Sequence, residues 1–182
     1  ENGAVRSGEN DLLQFITWNP SGRNFDVIFN ADHVLNHSGA VSMGPNGGSM
    51  SIYLNGHTLS FGAAGKSGHA MSSGTNSKIK IVGGNVIDNL RANTQALFYA
   101  DYGFGGEFQF VNCYIYTVAN IGTMRGGTLT LKNCDVNVLE TQGTVGISLC
   151  EYYNAGYTYN KVTVNLIDSD VRYVHASHDR TA

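Results

Sequence analysis

The chain has 182 residues, 23 of them glycine and 2 proline, with 42% hydrophobic and 14% charged residues. That length suits one domain with a sizeable core, and the composition favours many turns between short strands over a helix bundle or a disordered tail. A net charge of −3 with no run of Lys or Arg lacks the electrostatic footprint of nucleic-acid binding, and no stretch reaches the roughly 18 uninterrupted apolar residues of a membrane span.

The chain starts at Glu1 with no signal peptide and no Met, so it is expected to be mature, processed or cut from a longer multidomain protein. Residues 1–24 read as an N-terminal cap: Ser7 or Asn10 can cap a short helix whose apolar stripe is Leu12, Leu13, Phe15 and Ile16, and Asn19-Pro20 stops it. Its expected role is to cover the open end of the first coil of strands. "FDVIFNADHVL" then reads as a strand pair with a polar bend, and "SGAVSMGPNGGS" as a loop.

From Ser51 a rhythm sets in. "MSIYLNGHTLSF", "SKIKIVGGNVID", "GGEFQFVNCYIYTV", "GGTLTLKNCDVNVL" and "KVTVNLIDSDVRYV" each carry alternating apolar residues through a two-residue bend that is no hairpin turn. The bends fall at Asn55-Gly56, Gly83-Gly84, Asn112-Cys113, Asn133-Cys134 and Asp168-Ser169, at intervals of 28, 29, 21 and 35 residues. Such a period predicts a solenoid whose coils differ in loop length. In the C-terminal half each coil adds a third strand: "LFYA" before "EFQFV" and "YIYTV", "NIGTM" before "TLTLK" and "DVNVL", and "VGISLC" before "VTVNLI" and "DVRYV".

Three short strands per coil with one tight bend is the plan of a parallel β-helix, all-β, in which alternate side chains fill the interior. Asn or Gly at the bend can adopt left-handed backbone angles, and an Asn stacked on the next Asn can share amide hydrogen bonds. The cysteines behind them become small inward plugs. Three cysteines is an odd count, so at least one is unpaired within the chain. The expected organisation is one domain over 1–182, with cap and turn at 1–24, coils at 25–175 and a tail at 176–182.

The phrases "VIFNADHVLNHSG", "SIYLNGHTLSFG" and "KIKIVGGNVID", together with the Asn-Cys coils after them, resemble the pectate-lyase-like right-handed β-helix, in particular the adhesive modules of bacterial surface proteins. The resemblance spans about residues 25 to 175. It implies the fold, an extracellular or cell-surface location, and a non-catalytic adhesive module recognising a glycan or host surface, with no cofactor or metal. It leaves function open, because this fold also hosts lyases, hydrolases and phage tailspikes.

Gly65-Lys66-Ser67 reads as a corner and not as a phosphate loop, since Ser60 stands where the motif needs glycine. The pairs His33/His37 and His175/His178 lack Glu or Cys ligands at zinc spacing and read as surface imidazoles. Aligning the coils turns Val136 and Val171 inward and places Asp135 and Asp170 outward in one column, with Tyr114 one coil above. The next outward column holds Tyr116, Asn137 and Arg172. Stacked about 4.8 Å apart, Asp135 and Asp170 could share a proton, bind a cation or act as an acid/base pair with Arg172 stabilising developing charge, the reading of a polysaccharide lyase or glycosidase; the expectation is a solvated acidic face partly neutralised by Arg172. A trimeric phage tail β-helix is a third reading. The aromatic corners, Tyr102 and Phe104 in one coil and Tyr152, Tyr153, Tyr157 and Tyr159 further on, suit stacking on sugar rings or packing on one another; with Tyr114 and Tyr116 on the column face they are the expected ligand-binding residues, and the Tyr152 to Tyr159 corner is expected to dominate.

Overall fold

A computed structural model describes residues 24–35, 41–43, 47–61, 71–73, 76–88, 96–100, 106–117, 120–124, 127–138, 147–152, 162–171 and 175–179. Every regular element among these residues is a strand. In chain order they are β1 (Asn24–Ile28), β2 (His33–Leu35), β3 (Val41–Met43), β4 (Ser49–Tyr53), β5 (Thr58–Phe61), β6 (Met71–Ser73), β7 (Lys78–Asp88) and β8 (Ala96–Ala100). The remaining strands are β9 (Glu107–Thr117), β10 (Asn120–Met124), β11 (Gly127–Lys132), β12 (Asp135–Val138), β13 (Ile147–Tyr152), β14 (Val162–Ile167), β15 (Asp170–Val171) and β16 (His175–Asp179).

All pairings are parallel, which hairpins cannot produce, so each strand waits for the chain to return before it finds a partner. One sheet runs β1-β4-β7-β9-β11-β14, and past the bend it continues through β2, β5, the later halves of β7 and β9, then β12 and β15. The second sheet runs β3-β6-β8-β10-β13-β16. The chain thus visits the first sheet, the bend and the second sheet in the same order on each of six passes. This all-β, parallel arrangement is compatible with a β-helix.

Alternation fixes the core, because successive side chains in a strand point to opposite faces. Met50, Ile79, Phe108 and Leu129 share one register column, Ile52, Ile81, Phe110 and Leu131 the next, and all eight are buried. Beyond the bend Leu59, Val86, Ile115 and Val136 form a third buried column.

The bends are where the sequence phrases put them. Asn55, Asn112, Asn133 and Asp168 hold φ of 51, 54, 50 and 48°, and Gly83 holds 70°. Asn and Asp visit this left-handed region at the least cost among residues bearing a Cβ. Asn133 Nδ2 donates to Asn112 Oδ1 at 2.9 Å, and Cys113 and Cys134 behind them are buried free thiols. The bend after β4 is longer, four residues against two, and it tucks Leu54 beneath Gly84. A Cβ on Gly84 would lie 2.6 Å from Leu54 Cβ and would also meet the His57 carbonyl oxygen.

Three details depart from the sequence reading. The stretch read as a loop contains β3, which pairs with β6. Residues 176–179, read as tail, belong to β16 and pair with β13. His33, read as a surface imidazole, stands in register with Leu59 in the inward column. Its Nε2 is buried with no hydrogen-bond partner among the described residues, and its ring meets Phe29 edge-on at 6.0 Å. The expected helix over Ser7 to Ile16 lies outside the described residues. No described helix is long and apolar enough to cross a membrane.

Candidate functional site

The outward face beyond the bend collects the chemistry-bearing side chains. Because Ile115 and Val136 point inward, Tyr114, Tyr116, Asp135 and Asn137 point outward. Register sets Tyr114 beside Asp135 and Tyr116 beside Asn137, and Asp135 beside Asp170 on the next pass. On the other side Tyr114 adjoins Asn85 and Tyr116 adjoins Ile87.

Two tyrosines at i and i+2 on one strand stand about 7 Å apart, and neighbouring passes lie about 4.8 Å apart. Both rings are half-buried, whereas Asp135, Asn137 and Asp170 are exposed. The result is an aromatic pair flanked on one side by a carboxylate and an amide, with Asn85 on the other side, its Nδ2 donating to Thr58 Oγ1 at 3.2 Å. Such a group offers flat apolar area with acceptors and donors at its rim, which suits a ligand that alternates C–H faces with hydroxyl groups. Asp135 and Asp170 are also a pair of adjacent carboxylates, the geometric minimum for acid/base chemistry.

A shallow groove opens on the outward face before the bend, lined by Ser49, Ser51, Lys78, Lys80, Glu107 and Gln109. Lys78 Nζ lies 3.3 Å from Glu107 Oε1 across adjacent strands. Sequence reasoning passed over these residues, although the alternation in "SKIKIV" already turns both lysines away from the core. Its attention was on the bends, where the repeats align.

The remaining candidates fall elsewhere. Tyr102, Phe104, Tyr153, Tyr157, Tyr159 and Arg172 lie outside the described residues, and Tyr152 ends β13 with its backbone in register with Asp179. His57 Nδ1 lies 3.5 Å from Asp32 Oδ1, and that same oxygen accepts from Thr58 N at 2.8 Å, so this contact holds the long bend. Among the described residues no group of three or more His, Cys, Asp or Glu side chains is placed to hold a metal ion.

The stacked thiols are chemically distinct. The Cys134 thiol beside it, and then burial, push the Cys113 pKa well above that of an ordinary thiol. Each Sγ reaches backbone carbonyls, Cys113 that of Val111 at 3.3 Å and Cys134 that of Phe110 at 3.4 Å, contacts in which a thiol donates and a thiolate could not. They are packing groups.

No protein-family model matches the chain, and no curated protein or solved structure matches it.

Proposed function

We propose that this chain is a right-handed, pectate-lyase-like parallel β-helix acting as a non-catalytic glycan-binding module of a secreted or surface-anchored bacterial protein. The observation that carries the reading is the side-by-side pair Tyr114 and Tyr116 with Asp135 and Asn137 in register beside them. An extended sugar polymer lying along the strand direction, across the stack, presents a ring face to each tyrosine and hydroxyl groups to the carboxylate and amide of the next pass. The repeated order of passes through two parallel sheets supports the β-helix, and the sequence phrases around Asn55-Gly56 and the Asn-Cys bends support the adhesive-module type.

A screen of neutral and acidic oligosaccharides tests it. Tyr114→Ala with Tyr116→Ala should weaken the best ligand several-fold to about thirtyfold, from roughly 1 kcal/mol per ring, with the far-UV spectrum unchanged. Equal affinity in the double variant overturns the site.

The register of Asp135 with Asp170 favours a second reading, a polysaccharide lyase or glycosidase. Release of reducing ends from an acidic polysaccharide, abolished by Asp135→Asn with Asp170→Asn, would replace the binding reading with that one.

A further inference from the structure

On the outward face before the bend, one register column runs Asp26, Ser51, Lys80, Gln109, Thr130 and Asn165. Its parts are satisfied differently. Asn165 Nδ2 donates to Thr130 Oγ1 at 3.1 Å, so those two side chains serve each other. Ser51, Lys80 and Gln109, on three adjacent strands, have no side-chain hydrogen bond or ion pair among the described residues. Yet all three are half-buried, and they line the groove. The neighbouring column shows the contrast: Lys78 Nζ meets Glu107 Oε1 at 3.3 Å, and Ser49 Oγ donates to Asn24 Oδ1 at 2.8 Å. Of the charges that line the groove, only Lys80 lacks a partner among the described residues.

A half-buried ammonium has given up part of its hydration, and an anion that accepts its hydrogen bonds restores what was lost. Here the Ser51 hydroxyl and the Gln109 amide flank it in register, so three donor groups surround one positive charge. Charge selects the anion. With Glu107 at the rim and Asp26 one pass beyond Ser51, a single negative charge is matched, whereas a phosphate monoester brings about −1.5 to −2 at neutral pH. Shape narrows it further: three donors suit the three terminal oxygens of a sulfate ester, while a carboxylate offers two in one plane, the pattern that an arginine fork matches. The groove holds about 190 Å³, below the roughly 300 Å³ of a pocket that encloses a whole small ligand, so it takes one group of a longer molecule. We propose that this groove binds the sulfate ester of a sulfated sugar, with Lys80 as the ion-pairing residue and Ser51 and Gln109 as hydrogen-bond donors. That the carrier is a sugar rests on the glycan reading; the groove itself lies on the other arm of the bend from Tyr114 and Tyr116.

Calorimetric titration at low salt tests it, with an O-sulfated cello-oligosaccharide, its unsulfated parent, and the O-carboxymethyl and O-phosphoryl derivatives of that parent. The sulfated probe should bind at least about tenfold more tightly than the parent and than either other derivative. Lys80→Gln should abolish that preference. Lys132→Gln, which removes the same charge from an exposed position outside the groove, should keep it. Glu107→Gln frees Lys78 and should tighten the sulfated probe several-fold. Failure of the tyrosine site would show separately, as binding of the unsulfated parent that Tyr114→Ala with Tyr116→Ala leaves unchanged. No binding of the sulfated probe, no preference for it over the parent, a preference that survives Lys80→Gln or is lost equally in Lys132→Gln, or one matched by the carboxymethyl or phosphoryl derivative each overturns the proposal.

Discussion

Asn133 reaches back along the stack to Asn112, amide nitrogen to amide oxygen at 2.9 Å, while both backbones turn through the left-handed region. One residue type therefore meets two demands at the bend, a positive φ and a hydrogen bond to the neighbouring pass. The demands separate on substitution. Asn133→Gly keeps the conformation and loses the bond, whereas Asn133→Ala loses the bond and strains the backbone. Thermal unfolding should place the alanine variant lower than the glycine variant by about 1 kcal/mol, a difference of about 2–4 °C in a chain of this size. Equal midpoints would mean that the bend tolerates alanine.

Two glycines are required for space. Gly84 lies against Leu54 and the His57 carbonyl, and a Cβ on Gly127, already at φ 82°, would collide with the Gly106 carbonyl oxygen. Gly84→Ala and Gly127→Ala should each cost about 3 kcal/mol or more in denaturant unfolding, because backbone and not a flexible side-chain tip stands in the way. Gly56 also has positive φ but open space around it. Gly56→Ala should cost only about 1 kcal/mol, and a cost as large as the other two would remove crowding as the cause.

The thiols of Cys113 and Cys134 give a chemical prediction. Both are free and buried, and Cys113 is held protonated by its neighbour and by burial. Iodoacetamide should leave the peptides that carry them unmodified in the native protein, and label both in guanidinium without reductant. Peptides that stay unlabelled until reductant is added would reveal a disulfide between passes.

Asp135 and Asp170 are like charges in direct register on exposed strands. Asp170→Asn should therefore stabilise the fold by a few tenths of a kcal/mol at low salt, and the gain should fade at about 1 M salt, where screening acts within about 3 Å. A gain that survives high salt would point to something other than repulsion.

How much of this could be read from the sequence depended on whether a structural demand leaves a chemical mark. A left-handed bend does, and Asn112, Asn133, Asp168 and Gly83 announced it. Alternation does too, so the columns that pair Tyr114 with Asp135 and Asp135 with Asp170 came from counting. β3 left no mark, since three residues carry too little alternation to stand out in a glycine-rich stretch. His33 misled because a polar side chain in an apolar column breaks the pattern that identifies the column. Gly84 gave its bend but not its second reason, because the contact with Leu54 depends on the extra length of the preceding bend. The tyrosine pair was legible as two residues on one face, while the Ser49 to Gln109 groove joins residues from three passes that no local phrase links.

The unequal intervals between bends carry a consequence for how such a chain can change. Val111 and Lys132 are in register 21 positions apart, and Lys132 and Ile167 are in register 35 positions apart, yet the ladder between them is unbroken. Insertions and deletions falling between β12 and β13, or between β13 and β14, alter length without shifting a column, whereas a single-residue deletion inside β11 would turn every later side chain of that strand to the opposite face. Length variation among descendants of this sequence should therefore gather in the joints, and foreign segments grafted there should be carried as passengers.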